Sequence, residues 1–347
     1  MAGLRARRGA SPRALAVVVL GGLALAGCGT AKRTVVAEPA LVPIGAGLRG
    51  PSALAAAVYA TGLPTTSAFA LDARGRLWVA TSAASDHRKD GVWLVARAGA
   101  RPVKVISGVR GPLGLTWYRG RLYVASLGRV DAFSGLRGTS FARRTRILAE
   151  PRGHGWNNGI AVAPGGRLVM GISSACDHCT STSKFSGTIV SFRPDGSDVR
   201  VYAKGIRAPF GVAYVPGTSR LLVSMNQRDD LGTRTPGDWL AEVSPGDDWR
   251  FPGCYGQGGS ACAGAPSPFA VLDRHAAAGA VAVFGNSALV AEWQTGRVLR
   301  VPLGGSASRA TPFLTGVRNP LALATARDGA LLVGDWGTGR VYRIAAR

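Results

Sequence analysis

Arg74-Gly75-Arg76-Leu77-Trp78-Val79 is a small turn that runs into three apolar residues. Five further stretches repeat its form: Arg119-Gly120-Arg121-Leu122-Tyr123-Val124, Gly165-Gly166-Arg167-Leu168-Val169-Met170, Thr218-Ser219-Arg220-Leu221-Leu222-Val223, Asn286-Ser287-Ala288-Leu289-Val290-Ala291 and Asp328-Gly329-Ala330-Leu331-Leu332-Val333. The shared Leu recurs at steps of 45, 46, 53, 68 and 42 residues. Short strands between glycine turns, at a period of about 40–50 residues, mark the blades of a propeller. The chain is expected to be all-β, a six-bladed β-propeller.

Each copy has an apolar run upstream, at 68–71, 113–117, 160–163, 212–215, 281–284 and 321–324. Most have another downstream, at 92–95, 188–192, 240–243, 298–301 and 341–344. These read as the inner, second and third strands of each blade. The sequence reaches Arg347 just after the third strand of the sixth blade. The apolar stretch Leu54–Ala60 precedes the first blade, and is expected to supply the missing outer strand and close the ring. Closure removes a sheet edge that would otherwise be open to pairing.

Upstream of the repeats, Arg5, Arg7, Arg8 and Arg13 accompany an apolar run at 14–26 that is short for a membrane span. Leu25-Ala26-Gly27-Cys28 resembles a bacterial lipobox. That resemblance implies a signal peptide at 1–27 and lipidation of Cys28, with the protein exported and anchored to the cell membrane on its extracytoplasmic side. Residues 28–50 read as a flexible tether and 51–347 as the propeller domain. The other cysteines, Cys176, Cys179, Cys254 and Cys262, fall into two close pairs. Disulfides persist in an exported protein, so each pair is expected to close a loop. Cys176-Asp177-His178-Cys179 also has the spacing of a redox pair or of half a zinc site. A zinc site needs about four ligands, and no second cluster supplies them.

Net charge is +23, from 42 Lys and Arg against 19 Asp and Glu. The cations are mostly Arg scattered through every blade, with no basic run and few interleaved aromatics. That distribution argues against a nucleic-acid partner and is compatible with attraction to an anionic envelope surface.

In a propeller, the loop before each inner strand and the loop after each second strand share one face. Before inner strands come Thr65-Thr66, Arg110, His154, Arg207, His275 and Arg318-Asn319. After second strands come Asp86-His87, Ser126, 174–179, 226–230, Glu292-Trp293-Gln294 and Asp335-Trp336. Polar chemistry is thereby gathered at one mouth.

The longest step lies between Leu221 and Leu289, so blade four or five carries an insertion. It contains Asn226-Gln227-Arg228-Asp229-Asp230-Leu231-Gly232, then Asp238-Trp239-Leu240-Ala241-Glu242-Val243, then Pro245-Gly246-Asp247-Asp248-Trp249-Arg250-Phe251-Pro252-Gly253-Cys254-Tyr255-Gly256. Two other mouth loops are Gly153-His154-Gly155-Trp156-Asn157-Asn158-Gly159 and Gly205-Ile206-Arg207-Ala208-Pro209-Phe210-Gly211. Together these segments resemble the glucose/sorbosone dehydrogenase family, six-bladed propellers that use pyrroloquinoline quinone (PQQ) and calcium to oxidise aldoses or related aldehydes.

The resemblance implies roles. His154 would be the general base on the anomeric hydroxyl, with hydride passing to the quinone. Arg207 would stabilise charge on the quinone oxygen. Arg207, Arg228, Arg318 and Asn319 would bind the cofactor, and Asp229, Asp230 and Glu242 would contribute to calcium. Four places depart from the family pattern: Ala208 stands where the family has Asn, Gln294 is nearest to a Lys found in some members, Gly165 replaces the Asp of a Pro-Asp-Gly turn, and Trp249-Arg250-Phe251-Pro252 stands for a Tyr-Gly-Trp-Pro core. Two alternatives stay open. One is a non-catalytic surface propeller that binds a glycan or a protein. The other is a calcium-dependent lactonase-type hydrolase using Asn157, Asn158, Asn226, Glu292, Asn319 and Asp335.

Overall fold

The structure, a computed structural model, describes residues 40–149, 155–305 and 307–347. Cys28, the signal segment and His154 lie outside the described residues.

Six antiparallel sheets follow one another along the chain, and each is a blade. The inner strands are Thr66–Leu71, Gly114–Tyr118, Asn157–Val162, Pro209–Tyr214, Ala278–Phe284 and Pro320–Thr325. The second strands are Leu77–Thr81, Arg121–Ser126, Leu168–Ile172, Leu221–Met225, Ser287–Glu292 and Leu331–Asp335. Blade six takes its outer strand from Leu54–Ala60, which pairs antiparallel with Arg340–Ala346. The ring therefore closes as the sequence indicates.

The repeat has a packing cause. There are six main apolar clusters, one between each pair of neighbouring blades. Successive residues of a strand point to opposite sides. Leu77 and Val79 pack toward blade six, whereas Trp78 and Ala80 pack toward blade two. Both faces of a second strand are buried, so its sequence is a continuous apolar run rather than an alternation.

This packing corrects the fifth copy by one residue. Leu122, Leu168, Leu221 and Leu331 all face the preceding blade, as Leu77 does. Leu289 instead faces blade six, and Ala288 and Val290 face blade four. The tight hairpin pairing Phe284 with Ser287 sets that register, and a slip of one residue exchanges the two faces. Ala288 is thus the structural counterpart of Leu331, which aligns Glu292 with Asp335 at the ends of their strands.

The expected tether ends earlier than Gly50. Val42–Gly45 and Leu48–Gly50 form a hairpin that extends the outer edge of blade five, with Arg49 opposite Thr315. Ile44 and Leu48 are buried against Leu314 and its neighbours, and that burial is why the segment is ordered.

The insertion belongs to blade four, between its third strand Gly237–Val243 and its outer strand Ala270–Arg274. It runs toward the mouth along the outer strand of blade three. Gly246 N–H donates to Tyr202 O, Trp249 N–H to Lys204 O and Phe251 N–H to Gly205 O, at 2.7–3.0 Å. Trp249 then stacks on Trp239 of blade four at 4.6 Å.

Candidate functional site

Blades three, four and five enclose the main cavity of the mouth, of about 590 Å³. A second cavity of about 320 Å³ draws on all six blades and shares Trp156, Ser173, Phe210, Asn226 and Ala277 with the first. The two form one continuous mouth. The second is largely apolar, with Leu113, Leu321, Trp293 and Trp336 in its wall. The indoles of Trp293 and Trp336 meet edge to face at 5.4 Å.

Arg207 is set into the wall of the main cavity by the loop before the inner strand of blade four. Ile206, fully buried, anchors that loop. Gly205 precedes it with φ +71°, and a side chain there would meet Arg250 N at 2.3 Å. Only glycine meets both demands. The Arg207 guanidinium donates to Asp177 Oδ1 at 2.5 Å and to Asn226 O at 3.2 Å. Asp229 Oδ2 lies 4.0 Å away on its other side.

Asp229 and His275 line the same cavity. His275 Nδ1 meets Asp229 Oδ1 at 3.0 Å, and its Nε2 meets Gly232 O at 3.2 Å. Acceptors at both ring nitrogens favour the imidazolium and hold His275 above its ordinary value. Asp238 lies deeper in the wall, 2% exposed, and accepts N–H groups from Gln227 and Ala278 at 2.8 Å. Burial pushes its carboxyl up to about 6, against the pull of those two donors.

The remaining expected residues divide. Arg228 is almost buried, gripped by Asp230 through two bonds of 2.6 Å and lying over the Tyr255 ring. It does not line either cavity, because its charge is already matched by Asp230. Arg318 is exposed on the mouth loop of blade six, and Asn319 Nδ2 donates to Trp293 O at 2.9 Å. Gln294 and Ala208 both line the main cavity.

The expected calcium set does not assemble. Glu242 sits at the far end of its strand from the mouth, opposite Leu222, and pairs with Arg220 at 2.9 Å. Asp229 is engaged by His275 and Asp230 by Arg228. Among the described residues, no three His, Cys, Asp or Glu side chains converge. Of the hydrolase candidates, Asn158, Asn226 and Asn319 donate to backbone carbonyls of neighbouring blades, as does Asn157. Glu292 and Asp335 accept backbone N–H groups.

Both cysteine pairs are bonded, Cys176 to Cys179 and Cys254 to Cys262. Asp177 and Asp238 are functional-site residues that the motif reading passed over. In the sequence Asp177 lies between two cysteines of a mouth loop, and Asp238 opens a segment that carries the family resemblance, each without a role of its own.

No family model matches the chain and no curated protein matches its sequence significantly. Solved structures do match. The PQQ-bound aldose sugar dehydrogenase of Streptomyces coelicolor superposes with TM-score 0.71 at 22% identity, covering 86% of this chain and 100% of that one. The holo PQQ domain of pyranose dehydrogenase from Coprinopsis cinerea gives 0.72 at 16%, covering 89% and 98%. The apo soluble aldose sugar dehydrogenase of Escherichia coli gives 0.66 at 16%, covering 85% and 100%. At these identities the likeness establishes the six-bladed fold.

Proposed function

We propose that this protein is a quinone-dependent dehydrogenase of sugars or related aldehydes, with PQQ as its cofactor. The observation that carries the reading is Arg207, a guanidinium set in the wall of a cavity that runs on into an aromatic mouth. The fold shared with PQQ-bound sugar dehydrogenases supports it.

The residues present suit such a group. PQQ is a flat, anionic ring system, and Trp156 and Phe210 offer flat apolar surface at the junction of the two cavities. Arg207 would hold an anionic oxygen, with Asn226 and Gln294 as amide partners and Arg318 near the rim. When bound, PQQ supplies a two-electron acceptor; the protein supplies binding and orientation. Oxidising an aldose at its anomeric carbon also removes a hydroxyl proton. His154 takes that proton at a neutral imidazole nitrogen. The Arg207 guanidinium supplies a positive charge already in place, which needs no reorganisation. Calcium is left out because its expected donors are engaged elsewhere. By the sequence of residues 1–28, the protein works as a lipid-anchored protein outside the cytoplasm.

The test is a titration of apoprotein with PQQ, with and without calcium, followed by an acceptor-linked assay over aldoses and aldehydes. His154→Ala should lower turnover by about 100- to 10,000-fold and leave PQQ affinity and the unfolding midpoint unchanged. Bound PQQ with no turnover on any substrate would overturn the reading.

One observation favours a non-catalytic propeller instead. Arg207 and Arg228 both already have carboxylate partners, so little positive charge remains for a tricarboxylate. That reading expects no PQQ binding and a glycan held on the tryptophans of the mouth.

A further inference from the structure

The loop after the second strand of blade three carries Cys176-Asp177-His178-Cys179, closed by the bond between its two cysteines. A covalent closure across three residues restricts where the two residues inside it can point. Asp177 points across to blade four. Its Oδ1 accepts from Arg207 Nη2 at 2.5 Å. Its two oxygens also accept the backbone N–H of Asp229 at 3.1 Å, and Oδ2 that of Asp230 at 2.9 Å. One carboxylate thus ties the cation of the cavity wall to the start of the blade-four loop.

The neighbours reinforce the tie. Ser174 N–H donates to Arg207 O at 2.6 Å, and His178 Nδ1 lies 3.5 Å from Asp230. Arg207 has one other bond from its guanidinium, to Asn226 O. Cys176 lines the cavity, and Cys179 is exposed where a small reductant can reach it. The other disulfide differs: Cys254 is 2% exposed, within the insertion.

We propose that Asp177 is the positioning residue for Arg207, and that the Cys176–Cys179 bond locks it there, so that a dithiol reductant loosens the mouth. The exchange balances: two S–H groups of the external dithiol become one S–S bond, and Cys176–Cys179 becomes two thiols. Two electrons and two protons pass to the protein. The opened loop no longer restricts Asp177, and Arg207 keeps its bond to Asn226 O and the more distant carboxylate of Asp229, 4.0 Å away. The proposal depends on the dehydrogenase reading only for its effect on turnover.

The experiment needs no cofactor. Hydrogen exchange is followed at the amides of Asp229 and Asp230, and phenylglyoxal labelling is followed at Arg207, both by mass spectrometry. The proteins are wild type with and without dithiothreitol, Cys176→Ser/Cys179→Ser, and Asp177→Asn. The double variant leaves Cys254–Cys262 intact. A charge-assisted bond lost on opening should speed exchange at 229–230 by about tenfold in the reduced and double-variant proteins. Arg207 labelling should rise in all three altered proteins. Asp177→Asn keeps an acceptor for the N–H groups but loses the charge facing Arg207, so labelling there rises more than exchange. Amides of the blade strands should stay protected throughout, which separates positioning from loss of fold. Unchanged labelling of Arg207 in Asp177→Asn and in the double variant would overturn the proposal. If the mouth loosens as described but PQQ never binds, the clamp stands and the quinone reading falls.

Discussion

Carboxylates at this mouth mostly serve the backbone. Asp90 accepts N–H groups from Ala83 and from Gly111 of the next blade, both at 2.7 Å. Asp238 does the same for Gln227 and Ala278. Asp335 accepts from Arg318, Asn319, Gly337 and Thr338. Loops that turn inward leave N–H groups without strand partners, and a buried donor without a partner costs about 1–3 kcal/mol. A buried carboxylate serves two or more of them at once. Of these carboxylates, Asp335 reads as a cation ligand in the sequence, because an acid and Asn319 on one mouth suit either task. Burial leaves a signature in pH dependence. The Asp238 carboxyl is pushed up to about 6, with Arg207 lowering it and Asp229 raising it. Its unfolded value is about 3.9, so between pH about 4 and about 6 the folded chain holds a proton that the unfolded chain has released. Stability should therefore fall as pH rises through that window, by at most about 3 kcal/mol. Urea unfolding of wild type and Asp238→Asn across that range checks this. The variant should lose that slope: about 1–3 kcal/mol less stable than wild type near pH 4, since Asn can accept only one of the two N–H groups at its oxygen, with the gap closing as pH rises through 6.

The insertion of blade four is the element that makes the site asymmetric. Its path alongside blade three places Trp249 against Trp239, and Tyr255 O accepts from Gln227 Nε2 at 2.9 Å. It thus backs the mouth loop at 226–236 from outside the ring. Trp249 is 2% exposed. Trp249→Ala removes a stacked, buried indole and should cost about 3–5 kcal/mol, read as a lower denaturant midpoint. The same variant should admit faster exchange at Gln227 and Arg228 than in the blade strands. An unchanged midpoint would mean that the insertion is an appendage rather than a support. Its existence was legible in the long step after Leu221. Its place within blade four was not, since spacing counts residues between strands without saying which connection holds them.

At the scale of the whole ring, closure by Leu54–Ala60 carries the stability argument. Without that strand, Arg340–Ala346 would present a row of open N–H and C=O groups beside the buried Val341, Tyr342 and Ile344. Such an edge is a template for pairing with another chain. Deleting residues 1–60 should give a protein that aggregates in light scattering. Deleting only 1–39 should keep the elution volume and unfolding midpoint of the full chain. If the 1–60 deletion behaves as the full chain does, the closing strand is dispensable. The sequence by itself determined the number of blades, the apolar runs that build them and the strand that closes them. These depend on the spacing of glycine turns and on short continuous apolar runs, and both are local. It also indicated that Arg207 and His275 belong to one face. The tertiary structure alone decided the register of blade five, where neighbouring blades choose which residues face them. It also decided the fate of the charged side chains. Arg228 and Glu242 are withdrawn by partners two and twenty-two residues away, and Arg207 is held by an aspartate thirty residues upstream. Which charge reaches the cavity depends on those pairings; Arg228 with Asp230 lies within one loop, whereas the pairs of Glu242 and Arg207 form only when three-dimensional packing brings separate segments together.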